Sequence, residues 1–136
     1  MKYLVDVNVL SEGTKSKPVP AAIEWLVEHR GLIAINPIIL GELQFGIQTM
    51  PAGRHKNQLR DWLAGSVQAL PILDIDFNTA LVWAALLTEL KRRGRTMPIK
   101  ESLIAATARQ HGLTIATRNV SDYRFANVPV VNPFEP

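Results

Sequence analysis

Lys2-Tyr3-Leu4-Val5-Asp6-Val7-Asn8-Val9-Leu10 is the stretch whose reading decides the fold. Tyr3 to Val5 predicts a short buried strand with Asp6 at its carboxyl end. Val7, Val9 and Leu10 resume apolar character, and the run through Ser11 and Glu12 predicts one or two helical turns. A carboxylate enclosed by Leu4, Val5, Val7, Val9 and Leu10 is costly to bury unless something compensates it. A bound cation, an arginine partner or a protonated acid would each serve.

Outward from that strand, short apolar runs alternate with amphipathic segments. Gly13 to Pro20 is a basic, turn-rich loop. Ala21 to Arg30 predicts a helix with Ile23, Leu26 and Val27 inward and Trp25 beside them, stopped at Gly31. Leu32 to Ile35 predicts a second strand. Asn36-Pro37 is a helix start, with Asn as N-cap and Pro at the first position. The helix it opens runs to about Thr49, with Ile39, Leu43 and Ile47 on one stripe and Ile38, Glu42 and Phe45 on another, so Glu42 is expected among apolar neighbours.

After the break at Pro51 to Gly53, a polar helix is expected over Arg54 to Leu63, with Leu59, Trp62 and Leu63 inward. Leu70 to Leu73 is a third strand candidate. Asp76 is placed to cap a long helix through Arg93 with a core stripe of Trp83, Leu86, Leu87 and Leu90. Ile99 to His111 predicts a helix of small and apolar residues stopped by Gly112, and Glu101 stands in its first turn, where the helix dipole favours an anion. Leu113 to Thr117 predicts a fourth strand and Val128 to Val131 an edge strand. This alternation predicts one domain over 1–136, with a parallel sheet of four to five strands covered by helices on both faces and all the strand carboxyl ends on one rim.

Composition narrows the chemistry. The chain has 136 residues, 47% hydrophobic and 20% charged, which is the profile of a folded domain with a real core. It has no cysteine, which removes disulfides, thiolate metal sites and cysteine nucleophiles. No leader pattern and no run near the roughly 18 apolar residues of a membrane span is present, so no membrane association and a cytoplasmic location are expected. Lys plus Arg number 15 against 12 acids, a net charge of +3 that permits a polyanionic partner without demanding one.

The rim collects acids from distant parts of the chain. Asp6 ends the first strand, Glu42 follows the second, Glu101 opens the helix that feeds the fourth, and Asp122 lies in the loop after it. Carboxylates crowded in an apolar cleft repel one another unless a cation sits among them. An all-oxygen donor set selects a hard ion, Mg2+ or Mn2+, which can activate water and stabilise charge on a phosphodiester. Taken singly, Glu101 could instead serve its helix terminus and Asp122 its local turn. Asp74 and Asp76 read as turn and cap residues.

At this point the chain resembles the PIN-domain nucleases, and within them the VapC toxins of toxin–antitoxin pairs, with the FitB-like branch nearest. The residues that carry the resemblance are Leu4-Val-Asp6-Val-Asn8-Val-Leu-Ser-Glu12, Gly41-Glu42-Leu, Met97-Pro-Ile-Lys-Glu101-Ser-Leu-Ile-Ala-Ala-Thr107-Ala, His111-Gly-Leu-Thr and Thr117-Arg-Asn-Val-Ser-Asp122-Tyr. The resemblance implies a three-layer α/β/α PIN domain, usually a homodimer, and Mg2+- or Mn2+-dependent RNA cleavage restrained by a cognate VapB- or FitA-like antitoxin, with operator DNA met only through that antitoxin. By position it assigns Asp6, Glu42, Glu101 and Asp122 as catalytic metal ligands, and Asn8, Thr117 and Asn119 as polar support. Two positions depart from the family pattern. Val7 stands where threonine or serine is usual, and Glu101 replaces an aspartate, moving its carboxylate roughly 1 Å outward, a displacement that can cost on the order of a hundredfold in rate.

Arg95, Lys100 and Arg118 are the candidate RNA contacts, Arg118 alternatively a neutralising partner, while Lys91 and Arg92 read as a helix end complementing its dipole. His29, His55 and His111 show no zinc or triad spacing; Ser11, Ser102 and Ser121 lack a base; no phosphate-binding glycine loop is present. Two other functions fit the same residues: a catalytically weakened PIN domain acting as a binding module in an antitoxin–operator complex, and a nuclease of DNA or of RNA maturation.

Overall fold

In the computed structural model, which describes residues 1–135, strand β1 (Tyr3–Val5) lies inside a four-stranded parallel sheet; residue 136, counted in the expected single domain, is outside the described residues. The order is β2-β1-β3-β4, with β2 at Ile33–Ala34, β3 at Thr114–Ala116 and β4 at Val130–Val131. Tyr3 stands opposite Ile33 on one side and Thr114 on the other, and Ile115 opposite Val130. The two central strands are wholly buried at Leu4, Val5, Ile115 and Ala116, as expected for a sheet covered on both faces. From β1 the chain moves first to β2 on one flank and later to β3 on the other. The strand order therefore reverses beside β1, and a crevice at the carboxyl ends there is the usual ligand site of such sheets.

The helices are α1 (Val7–Leu10), α2 (Pro20–Glu28), α3 (Pro37–Gln48), α4 (Arg54–Trp62), α5 (Phe77–Arg92) and α6 (Ile99–His111). Their punctuation follows local rules. The Asn36 side chain accepts from the Ile39 N–H at the start of α3, and Asp76 forms a capping box with Thr79 at the start of α5. Gly112 closes α6 with φ of 65°, a left-handed conformation that favours glycine. The small-residue helix α6 buries Ile104, Ala105, Ala106, Thr107 and Ala108.

Three expectations change. Leu70 to Leu73 is not a strand: Ile72 forms one parallel bridge to Ile35, and Pro71, with no N–H to donate, limits the ladder there. The inward face of α2 is Ala22 and Trp25, with Val27 56% exposed. The indole decides this, stacking on His29 at 4.3 Å and meeting Tyr3 edge-on at 4.9 Å, because its large apolar area outweighs the smaller side chains. Beyond α4 the chain continues through a π-helical turn at Leu63–Val67, which brings Val67 into the core.

Candidate active site

Asp6 is 8% exposed and fixed on several sides. Its backbone N–H donates to Ala116 O at 2.9 Å, and its carbonyl accepts the Val9 and Leu10 N–H groups of α1. Oδ1 accepts the Val7 N–H at 2.9 Å. Oδ2 accepts the Thr117 hydroxyl at 2.9 Å and the Tyr123 hydroxyl at 3.3 Å. The residue that ends β1 is thus also the N-cap of α1, which leaves its carboxylate little freedom.

Thr117 is the hub. While its Oγ1 donates to Asp6, it accepts from Asn8 Nδ2 at 3.2 Å and from the Asn119 N–H at 3.1 Å, so donor and both lone pairs are engaged. Asn8 Oδ1 in turn accepts the Arg118 N–H at 2.9 Å, tying the loop after β3 to α1. The structure thus brings Asn8, Thr117 and the Asn119 backbone into one hydrogen-bond network with the Asp6 carboxylate. Tyr123 is a partner the sequence reasoning did not name. Its ring is fully buried, and burial, followed by the Asp6 and Glu101 charges, holds its hydroxyl far above the ordinary value of 10.0, so it remains a donor. A tyrosine in an otherwise polar Ser121–Arg124 turn signals burial of its ring, but not which residue its hydroxyl meets.

Glu42 and Glu101 complete a trio with Asp6. Burial raises the Glu42 pKa first, and the charges of Asp6 and Glu101 raise it further, against the opposing Lys100 ammonium at 3.8 Å. Glu42 thus lies within electrostatic reach of both other acids. A buried link between helices sets their placement. Asn36 Nδ2 donates to Thr107 Oγ1 at 3.1 Å, whose hydroxyl donates to Leu103 O. Glu42 lies six positions on from Asn36, and Glu101 six positions back from Thr107, or about 9 Å along each axis. Helices α3 and α6 therefore run in opposite directions past each other, and the Asn36–Thr107 bond registers the two acids.

Other sequence candidates are placed differently. Glu42 is half-buried and Phe45, one turn away, is 68% exposed, so that stripe faces outward more than the apolar pattern predicts. Asp122 is exposed in the short helical turn Val120–Tyr123. Among the described residues no three carboxylate or imidazole side chains stand close enough to hold one ion directly. Lys100 is engaged with Glu42; Arg95 lies over the Phe125 ring at 4.4 Å, and Arg118 over Phe134 at 4.3 Å. Glu12, a residue of the family motif, is buried away from the trio. One oxygen accepts the Val19 N–H at 2.8 Å and the other meets Lys15 at 3.0 Å, and these partners hold its pKa below the ordinary value.

The PIN domain family matches residues 3–131, nearly the whole chain. This chain belongs to the PIN-domain family. The VapC ribonuclease Y4jK of Sinorhizobium fredii is 32% identical to this PIN domain over 98% of both chains. Toxin FitB of Neisseria gonorrhoeae is 33% identical over 96% of this chain and 97% of its own. A structure of FitAB bound to an IR36 DNA fragment superposes with a TM-score of 0.91 at 30% identity, covering 98% of this chain and 96% of that one. The expected α/β architecture of a PIN domain is therefore the observed one.

Proposed function

We propose that this PIN domain is the ribonuclease toxin of a VapBC-type toxin–antitoxin pair, hydrolysing RNA phosphodiester bonds at the Asp6 rim. The observation that carries the reading is the immobilised Asp6 carboxylate within electrostatic reach of Glu42, which Glu101 also acts on, with the exposed Lys100 as its one ion-pair partner among the described residues. Such a donor set, oxygen-only and mutually repelling, fits Mg2+ or Mn2+. Mg2+ commonly takes one or two carboxylates directly and keeps several waters, which suits acids too far apart to chelate as three. When bound, the ion lowers the pKa of coordinated water and offsets charge on the phosphate.

The chain's own residues have distinct parts. Asp6 would hold the ion, oriented by Thr117 and by Tyr123. Glu42 and Glu101 would complete the negative site, and Asp122 would enter from the loop after β3 as the outermost acid. Lys100 would release Glu42 when the cation arrives. Asn8, with the Asn119 N–H, would keep the Thr117 hydroxyl aimed at Asp6.

The relatives named VapC ribonuclease and Toxin FitB, and the FitAB–DNA structure, support extending the proposal to a partner. The cognate antitoxin would cover the acidic rim, and operator DNA would be met only through it. Homodimerisation belongs to the same proposal: Phe77 and Leu81, one turn apart on α5, are 76% and 56% exposed, an apolar stretch suited to a partner surface. No helix among the described residues is long and apolar enough to cross a membrane. A cytoplasmic location is proposed on the same grounds.

The test is cleavage of a labelled structured RNA with Mn2+, with EDTA in its place, and with Asp6→Asn. Metal-dependent cutting that vanishes in the variant supports the reading. Cutting as fast after Asp6→Asn as before would remove the rim from the chemistry.

A further inference from the structure

A second charged cluster lies outside the carboxylate trio. The guanidiniums of Arg95, Arg124 and Arg93 stand 4.4, 4.8 and 5.4 Å from the centre of the single Phe125 ring. Two local devices build it. Gly94, at φ of +63°, reverses the chain after α5, with the Arg95 N–H donating to Leu90 O at 2.8 Å, so Arg93 and Arg95 flank one turn. On the other side Tyr123 is anchored to Asp6, and Arg124 and Phe125 follow it directly.

None of the three arginines has a carboxylate partner within ion-pair distance among the described residues. Glu89, the neighbouring acid, is already held by Arg109 through two bonds of 2.6 and 3.3 Å. The face of an aromatic ring attracts a cation, but one ring offsets only part of the repulsion among three. Glu89, Arg93, Arg124, Phe125 and Asn127 line a cavity of about 330 Å³ beside the ring. Arg93 and Arg124 line this cavity and Arg95 shares their ring, and guanidiniums held on one ring without a carboxylate in ion-pair range form an anion site that suits phosphate in particular.

Its position names the anion. Two residues of extended chain span at most about 7 Å, so the Phe125 backbone stays close to the tyrosine that touches Asp6. A strand with one phosphate at Asp6 would meet this platform within a few nucleotides. We infer that the Arg93–Arg95–Arg124 cluster around Phe125 is a binding subsite for the backbone of single-stranded RNA beside the scissile bond. The inference rests on the ribonuclease reading and deepens it.

The test is fluorescence anisotropy of a short single-stranded RNA with the full chain in EDTA, so that nothing is cut, across a potassium chloride series. Replacing Arg93, Arg95 and Arg124 together by Gln should make the slope of log affinity against log salt shallower by about 2, at roughly 0.7 per lost phosphate contact, and weaken binding about tenfold to hundredfold at low salt. Replacing Arg30, Arg54 and Arg60 by Gln removes equal charge elsewhere and should change the slope far less. The Arg93/Arg95/Arg124 variant should melt no earlier than wild type, because repulsion is removed. Should it melt early, Arg95→Gln alone carries the test, with a slope shallower by about 0.7. Equal losses in both triple variants, an unchanged slope in the Arg93/Arg95/Arg124 variant, or loss of binding to a poly-glutamate peptide but not to RNA would each overturn the inference. Mn2+-dependent cutting with an unchanged slope defeats the subsite and leaves the nuclease reading standing. Arginine-dependent RNA binding without cutting does the reverse.

Discussion

Asp6 and Glu12 lie six positions apart in one stretch, both are acids, and both are buried, at 8% and 1% exposure. Their surroundings differ completely. Glu12 closes a local loop on the Val19 N–H and Lys15, partners that stabilise its charged form. Asp6 is held by hydroxyls and a backbone N–H, has no ion-pair partner among the described residues, and lies within electrostatic reach of Glu42. A buried carboxylate is therefore not in itself a sign of function. What distinguishes the rim is that its charges are gathered without an internal counterion sufficient to balance them, an arrangement that costs stability and calls for a cation.

The largest effect should come from exchanging the charge of each acid in turn. Asp6→Asn should lower RNA cleavage on the order of a thousandfold or more, because the group that positions charge at the reacting phosphate is lost, while leaving the melting temperature level or higher. Glu12→Gln should do the opposite, lowering the melting temperature with little change in activity per folded molecule. Equal effects of the two on activity would erase the distinction.

Next in size is the hub. Thr117→Val keeps the shape and deletes the hydroxyl, leaving Asn8 Nδ2 unpaired and Asp6 Oδ2 with Tyr123 alone. It should cost about 1–3 kcal/mol in denaturant unfolding, with roughly a tenfold to hundredfold loss of rate from the loosened carboxylate. Thr117→Ser should restore most of both. Full activity in the valine variant would show that the hydroxyl network does not position Asp6.

A smaller effect separates the two regions by pH. Glu12 has a lowered pKa, so its contribution is present above the ordinary value of 4.5 and fades as pH falls through its folded value. The Glu42 pKa is raised, so its contribution is fully present below 4.5 and is lost as pH rises through its folded value. In melting curves across pH, Glu12→Gln should flatten the acid limb, whereas Glu42→Gln should raise stability near neutrality. Curves for the two variants shifting in the same direction would contradict these assignments. The smallest effect is expected from Asp122→Asn, less than about tenfold in rate, since its exposed carboxylate lies in solvent and well screened. A loss matching that of Asp6→Asn would make Asp122 an inner ligand rather than the outermost acid.

Much of this was legible in the sequence, for reasons that differ by residue. Asn36-Pro37, Asp76 and Gly112 set helix ends through bonds to residues a few positions away, so local chemistry was enough. The β1 run and the alternation after it gave the parallel sheet, because buried strands need continuous apolar residues. The bonds that make the site span far longer separations. Nothing near Tyr123 in sequence reveals that its hydroxyl meets Asp6, nor does the motif tell Glu12 from a rim acid. The inward face of α2 depended on Trp25 meeting Tyr3 and His29, and Pro71 reduced an apolar run to one bridge. For the four rim candidates the pattern of strand ends indicated a shared edge, but how near each carboxylate stands to the others depends on packing, above all for Asp122 in the loop after β3.

Isothermal titration of Mn2+ into the wild type, Asp6→Asn and Glu12→Gln tests the central claim without any substrate. The account predicts saturable binding by the wild type and by Glu12→Gln, and its loss in Asp6→Asn. Indistinguishable binding by the wild type and Asp6→Asn would contradict it.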